Sequence, residues 1–262
     1  MNALVAYFSQ TGNTRKVAEA VGRGLAAAGC ESVRVRPIEK VGPEDWLAFD
    51  LVALGTPVFY YREPENVGAW IRRLAPRRPV PAFTFITHGG NPANTLRRLQ
   101  RLLRPKGGRI LESFECPGYD TYPIYLESFR QWGRPSADDL AGADGFGRAA
   151  ARLAERSLAG EAVPEASYPF VGGRTFRLSV LCRRPLLDYL FPRIEVARDL
   201  CIRCGACARR CPTGNIALAP PGGTFRWPVF ADRCLRCYLC ERVCPRNAIR
   251  CDWRMLARVM NP

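Results

Sequence analysis

Near the end of the sequence a cysteine pattern repeats. Cys201-Ile202-Arg203-Cys204-Gly205-Ala206-Cys207-Ala208-Arg209-Arg210-Cys211-Pro212 returns 33 residues later as Cys234-Leu235-Arg236-Cys237-Tyr238-Leu239-Cys240-Glu241-Arg242-Val243-Cys244-Pro245. Each copy reads C-x2-C-x2-C-x3-C-P. Soft thiolate donors suit iron, and three of them on one tight loop can grip three corners of a single [4Fe–4S] cube. The cysteine before proline points away from its own loop and completes the opposite site. The spacing therefore assigns Cys201, Cys204, Cys207 and Cys244 to one cluster, and Cys234, Cys237, Cys240 and Cys211 to the other. Three cysteines this close crowd a tetrahedral zinc site, which uses C-x2-C pairs set farther apart. Disulfides would need an oxidising compartment, and the sequence shows no route to one.

With 262 residues the chain has room for two domains, and 47% hydrophobic residues allow the longer part a real core. The sequence enters a strand-like run at once, with no basic region leading into a long apolar segment. No apolar stretch approaches the roughly 18–20 residues of a membrane-spanning helix. These features predict a cytoplasmic protein without a transmembrane segment. The net charge is +15, and only three of the 39 basic residues are lysine. The arginines are scattered, which reads as a coding bias toward arginine more than as a nucleic-acid surface. No helix-turn-helix pattern or basic stripe supports DNA binding. A basic surface would still speed encounter with an acidic redox partner protein.

The first 160 residues alternate strand-like and helical patterns. Ala3–Phe8 is a continuous apolar run, as a buried parallel strand requires. Ser9-Gln10-Thr11-Gly12-Asn13-Thr14 follows, and then an amphipathic stretch to about Ala28 with Val17, Ala18, Val21 and Leu25 on one face. Strand, small polar loop and helix N-terminus together make a phosphate cradle. Gly22 to Ala27 matches G-x-G-x-x-A, but it lies inside the helix and not after a strand, so it is a decoy. Further strands are predicted at 32–35, 50–54, 82–87 and 109–114, with helices at about 64–74, 92–103 and 138–158. This alternation implies a doubly wound parallel sheet, whose ligands bind at the carboxyl ends of strands. Two more post-strand loops stand out there, Gly55-Thr56-Pro57-Val58-Phe59-Tyr60-Tyr61 and Thr87-His88-Gly89-Gly90-Asn91. One offers aromatic faces, the other bare backbone N–H groups. Tyr60 and Tyr61 read as ring-packing residues. His88, the only histidine, reads as a hydrogen-bonded turn residue more readily than as a proton donor.

At these loops the sequence resembles flavodoxin, whose S/T-x-T-G-x-T phosphate loop is matched by Ser9-Gln10-Thr11-Gly12-Asn13-Thr14. The resemblance spans about residues 2–160 and implies a five-stranded sheet of order 2-1-3-4-5 with FMN as cofactor. By position, Ser9, Gln10, Thr11, Gly12, Asn13 and Thr14 would hold the FMN phosphate. Thr56, Pro57, Phe59 and Tyr60 would line the isoalloxazine, and Thr87, Gly89, Gly90 and Asn91 would contact its polar edge. The acidic, aromatic covering loop of many free flavodoxins is not evident after the fourth strand. The cysteine repeats resemble the bacterial two-cluster ferredoxins, so the fold class is α/β: a flavodoxin-like sheet followed by a small α+β ferredoxin module. Taken whole, the chain resembles the EFR1 family of flavodoxin–ferredoxin fusion proteins.

The expected organisation is residues 1–160 for the FMN domain, 161–195 for a linker or strap, and 196–262 for the ferredoxin domain. Within the strap, Phe176 to Leu190 is aromatic and basic. A membrane-surface helix or partner-docking segment competes with the plainer reading, in which Leu186, Leu187, Tyr189 and Leu190 are buried at an interface. Pro220-Pro221-Gly222-Gly223 predicts a turn between two short extended runs. Cys30, Cys116, Cys182 and Cys251 lack ligand spacing and read as small buried hydrophobes. Function then follows as electron transfer between FMN and two [4Fe–4S] clusters, serving a separate redox enzyme. The alternative is an FMN-dependent reductase of a small quinone-like acceptor, although no nicotinamide-binding fingerprint is present.

Overall fold

In a computed structural model of the chain, which describes residues 1–122, 130–181, 184–218 and 227–260, the apolar run Asn2–Tyr7 forms strand β1. It is followed by α1 (Asn13–Ala27), β2 (Ser32–Pro37), β3 (Leu51–Pro57), α2 (Glu65–Arg73), β4 (Val80–His88), α3 (Thr95–Leu103), β5 (Gly108–Pro117) and α4 (Ala137–Leu158). The five strands pair in parallel in the order β2-β1-β3-β4-β5, as the sequence implies. The interiors of β1, β3 and β4 are buried on both faces, which is why they read as unbroken apolar runs. β2 lies at an edge, and its Arg34 and Arg36 point to solvent, where charge discourages pairing with another chain. Between β4 and β5 the register slips after Ala82, pairing Ala82 with Ile110 but Phe83 with Glu112. A bulge of this kind bends the strand locally.

α1 and α4 pack against each other over the main core, which gathers Val17, Val21 and Leu25 with Phe83, Phe85, Phe146 and Ala150. Their approach is set by glycine. A Cβ on Gly24 would lie 2.0 Å from the backbone oxygen of Asp144, and one on Gly147 would lie 2.3 Å from that of Val21. α4 begins with a capping box. Ser136 Oγ accepts the Asp139 N–H at 3.2 Å, and the Asp139 carboxylate accepts the Ser136 N–H at 2.7 Å.

Partial burial pushes the Asp139 carboxyl up, but the Arg134 guanidinium at 2.6 Å and the bonds from Ser136 outweigh it and hold the carboxyl below its usual range. A depressed folded value stabilises the protein above the unfolded carboxyl value of about 3.9, and this stabilisation is lost as pH falls through the folded value. Asp139→Asn should therefore weaken the fold by about 1 kcal/mol at neutral pH and flatten its acid limb below about pH 4. Urea unfolding of both proteins between about pH 2.5 and about pH 7 checks this.

Contacts divide the chain into two units, Met1–Asp120 with Ser128–Leu181, and Thr121–Glu127 with Cys182–Pro262. In the first unit the chain after α4 straps along α3 and the outer strand β5. Ala166 N–H donates to the Ile110 carbonyl, Gln100 and Arg97 bond the carbonyls of Ala166 and Tyr168, and Asn94 exchanges two hydrogen bonds with Val171. Helix α5 (Gly173–Leu181) follows.

The second unit contains α6 (Arg184–Leu190), β6 (Glu195–Val196), α7 (Ala206–Arg210), β7 (Ile216–Ala217), β8 (Val229–Phe230), α8 (Leu239–Arg242), β9 (Ile249–Arg250) and α9 (Arg254–Met260). β6 pairs antiparallel with β9, and β7 with β8. The predicted turn at 220–223 lies outside the described residues, as does Cys182. The expectation of four buried strap residues fails for two of them. Leu187 is buried and Leu186 partly so, while Tyr189 and Leu190 stand in solvent. Polar contacts also hold the stretch: Arg236 bonds Asp188 of α6 at 2.8 Å, and just past the helix the Pro192 carbonyl accepts the Tyr238 hydroxyl at 3.0 Å.

Candidate functional site

The first candidate site lies at the carboxyl ends of β1, β3 and β4. Gly12 takes a left-handed conformation (φ 105°) just before α1, with open space where a side chain would stand. Ser9 Oγ accepts the Gly12 N–H at 3.1 Å and folds the loop over the helix start. No side chain caps α1, and its first turn carries no acid, so the positive end of the helix is suited to an anion. Thr14 and Thr87 are both buried, and their hydroxyls bond at 2.8 Å. This ties the first loop to the end of β4. Asn13 donates its side-chain amide to the Tyr119 carbonyl at 3.0 Å, which brings in the segment after β5.

The second loop makes a wall. Val58 N–H donates to the Thr87 carbonyl, and the buried Thr56 hydroxyl donates to the Pro57 carbonyl. Phe59 and Arg62 exchange both backbone hydrogen bonds around Tyr60 (φ 50°) and Tyr61 (φ 65°). Two successive non-glycine residues at positive φ are costly, of order 1–3 kcal/mol each, and such strain concentrates where a ligand is held. The Phe59 ring meets Phe8 edge-on at 6.3 Å.

In the third loop His88 Nδ1 accepts the Gly90 N–H at 3.2 Å, and its Nε2 lies 3.9 Å from Glu115. Burial lowers the His88 pKa, so the imidazole is neutral and braces the turn. Asn91 Oδ1 accepts the Ala93 N–H rather than reaching outward. Gly89 is not open on its Cβ side, because a Cβ there would fall 2.2 Å from the Asp120 carboxylate. The post-β5 residues Tyr119 and Asp120 thus join the site, although no motif marks them in the sequence.

The second candidate site is the cysteine pair of loops. Cys211, Cys234, Cys237 and Cys240 line one cavity, together with apolar Ile194, Ile216, Phe230, Tyr238 and Leu239. These are the four ligands that the spacing assigns to one cluster. Cys207 is buried, with Cys201 and Cys204 close enough to act on it electrostatically, and Cys244 packs at the same apolar cluster of Cys207, Cys240, Ile216 and Ile249. The backbones of the two repeats match. Left-handed residues recur at Arg203 and Arg236, at Gly205 and Tyr238, and at Gly214 and Asn247, each pair 33 positions apart. Cys211 Sγ accepts the Asn215 N–H and Cys244 Sγ the Ala248 N–H, both at 3.2 Å. Such bonds stabilise thiolate charge. Burial pushes the Cys237 and Cys240 thiols up to about 12, so loading the site must release protons. A ring cluster backs the second loop: Tyr238 lies edge-on to Trp253 at 4.4 Å, and Tyr122 meets both.

Residues 5–132 match the Flavodoxin family, and residues 200–248 match the 4Fe-4S dicluster domain family. The chain carries a flavodoxin domain followed by a 4Fe-4S dicluster domain. An uncharacterized protein of Methanocaldococcus jannaschii is 28% identical over 152 residues, covering 56% of this chain and 97% of its own length. Among solved structures, a flavodoxin from the domain Archaea is 20% identical with a TM-score of 0.47, covering 59% of this chain and 99% of its own. Two-electron reduced flavodoxin of Megasphaera elsdenii is 19% identical with a TM-score of 0.46, covering 57% and 98% respectively. Rubredoxin oxygen:oxidoreductase of Desulfovibrio gigas is 15% identical at a TM-score of 0.46, and the match spans 60% of this chain but 37% of that one.

The cofactors of these two domains are FMN and two [4Fe–4S] clusters. The residues present fit FMN and one of the clusters, since an uncapped helix start faces open space at Gly12 and Cys211, Cys234, Cys237 and Cys240 share one cavity. Two of the other cysteines lie in the flavodoxin domain, away from the cluster loops. Cys30 and Cys116 are buried in the flavodoxin core, where desolvation drives the Cys116 thiol up to about 12. Cys251 is half-buried, and its backbone N–H donates to Glu241. Among the described residues no helix is long and apolar enough to cross a membrane.

Proposed function

We propose that this protein passes electrons between FMN and two [4Fe–4S] clusters on one chain, to or from a separate redox enzyme, as expected of an EFR1-type flavodoxin–ferredoxin fusion. The observation that carries the reading is the convergence of Cys211, Cys234, Cys237 and Cys240 on one apolar cavity, in a chain that also holds the Ser9–Thr14 cradle. FMN can accept two electrons and release them singly, whereas a cubane passes one at a time. The protein's own part is to hold, orient and dry these groups. Ser9, Gly12 and the first turn of α1 receive the phosphate, and Phe59, Tyr60 and the tied Thr14–Thr87 pair fix the wall of the ring site. Ile216, Ile249 and Tyr238 exclude water around the cysteines, and the amides of Asn215 and Ala248 steady their charge.

Anaerobic purification with iron, sulfide and flavin quantified tests this, with about eight irons and about one FMN per chain expected. Reduction of the clusters should then appear in the flavin spectrum within a single turnover at high dilution. Flavin that stays oxidised while the clusters are reduced would argue against the proposal. Sustained turnover of a quinone with reduced ferredoxin as the only donor would instead make the protein a reductase.

A further inference from the structure

Among its described side chains, helix α5 is built inside out. In a surface helix the apolar stripe faces the core and the polar residues face water. Here Ser179 is buried, with its hydroxyl turned onto the Phe176 carbonyl at 2.8 Å, and Thr175 is half-buried. Phe176 (40% exposed), Val180 (41%) and Leu181 (53%) stand in solvent. Just before the helix, Phe170 (53%) and Val171 (42%) do the same. The Phe170 and Phe176 rings meet edge-on at 4.9 Å, which joins these groups into one ridge. A contiguous exposed apolar surface of this kind marks an interaction site.

Charge says what the ridge meets. Arg174 and Arg177 share the exposed arc of α5 with Phe176, Val180 and Leu181. Between Glu165 and Asp188 the sequence contains four arginines, Arg174, Arg177, Arg183 and Arg184, and no acid at all. A second copy of the chain would bring the same positive ridge against this one, in a protein of net charge +15, so self-association is opposed. A partner protein would need a groove shaped to a convex helix, whereas a headgroup layer moulds to it. Arginine stems can lie along apolar surface while their guanidinium heads reach phosphates.

We propose that the Phe170–Leu181 face docks the protein on an anionic lipid surface, with Phe176, Val180 and Leu181 entering the acyl boundary and Arg174 and Arg177 engaging phosphates. A helix of this length lies in the interface and does not span it. The inference is independent of the redox reading, because it uses no cofactor contact.

The test is co-flotation of the loaded full-length protein with vesicles of phosphatidylcholine containing about 30 mol % phosphatidylglycerol, compared with phosphatidylcholine alone. Binding to the anionic vesicles is expected, weakening at about 0.5 M salt without vanishing, since the apolar contact is not screened. The double variant Phe176→Ser/Val180→Ser should lower the partition coefficient about tenfold or more. Arg174→Gln/Arg177→Gln should lower it about tenfold at low salt while leaving the salt-resistant part in place. All four side chains are exposed, so unchanged visible absorbance and far-ultraviolet dichroism should confirm intact folding. The proposal is overturned if the parent protein does not bind anionic vesicles. It is equally overturned if both double variants bind as the parent does, which would leave only diffuse charge. Concentration-dependent self-association that Phe176→Ser/Val180→Ser abolishes, without vesicle binding, would assign the ridge to a second copy.

Discussion

Cys237→Ala is expected to cut the iron content of the anaerobically purified protein from about eight to about four or fewer per chain, while FMN stays at about one. Cys237 lines the cavity with Cys211, Cys234 and Cys240, and burial disfavours its charged form in the unloaded site. The flanking residues Arg236 and Tyr238 are committed to Asp188 and to the Pro192 carbonyl and offer no thiolate in its place. The loss should spread beyond one cluster. The second unit is built on two-residue strand pairs and a small core in which Cys207 and Cys240 are themselves buried beside Ile216 and Ile249, so cluster binding should supply a large part of its folding energy. The flavodoxin unit has a separate core and should be untouched. The flavin spectrum and its melting transition would therefore persist, while electron exchange between the flavin and external one-electron partners falls to background. Stopped-flow reduction unchanged from the parent protein would show that electrons reach the flavin without passing the clusters.

Gly24→Ala is expected to destabilise the flavodoxin unit by about 3 kcal/mol, at the upper end of overpacking effects. Alanine is ordinarily the better helix former, by about 1 kcal/mol. At this position the added methyl would meet the Asp144 carbonyl oxygen at 2.0 Å, and backbone cannot rotate away as a side chain can. The helices would have to part, and Gly147 against Val21 shows that the contact is equally tight from the other side. Gly145 provides the control. It lies in the same helix α4 with nothing within 4 Å of where a methyl would stand, so Gly145→Ala should be neutral or stabilise by up to about 1 kcal/mol. Because α1 begins at the phosphate cradle, Gly24→Ala should also loosen FMN. Urea midpoints of the three proteins and FMN release on dilution measure both effects.

The strands and the loops at their ends were legible because burial on both faces leaves an unbroken apolar run, and because a helix that starts directly after Ser9–Thr14 needs that polar loop. The two cysteine loops were legible because ligand geometry fixes spacing. What sequence could not supply were contacts between distant segments. Nothing local announces that Thr14 bonds Thr87, or that Asn13 reaches the Tyr119 carbonyl 106 residues away. The strap was misread for a related reason. Leu186, Leu187, Tyr189 and Leu190 look like core by composition, yet only Leu187 is buried, the polar ties of the stretch run through Asp188 and through Pro192 just past α6, and Tyr189 and Leu190 stand in water. Helix α5 defeats periodicity as well, since Phe176, Val180 and Leu181 stand on its outer side while Ser179 is buried.

The matched left-handed positions of the two repeats are filled differently. The first uses Gly205 and Gly214; the second uses Tyr238 and Asn247 in the same left-handed region. In the first loop Arg209 and Leu218 come up to Gly205 in place of a ring, and Ile202, Arg203 and Cys204 are exposed to water. Tyr238 fills the equivalent place in the second with a fully buried ring, backed by Trp253. Identical ligand sets in unlike dielectric do not share a reduction potential, because burial penalises the more negative state. Once loaded, the symmetric duplication would therefore work as a graded pair, in which an added electron would settle first on the wetter side.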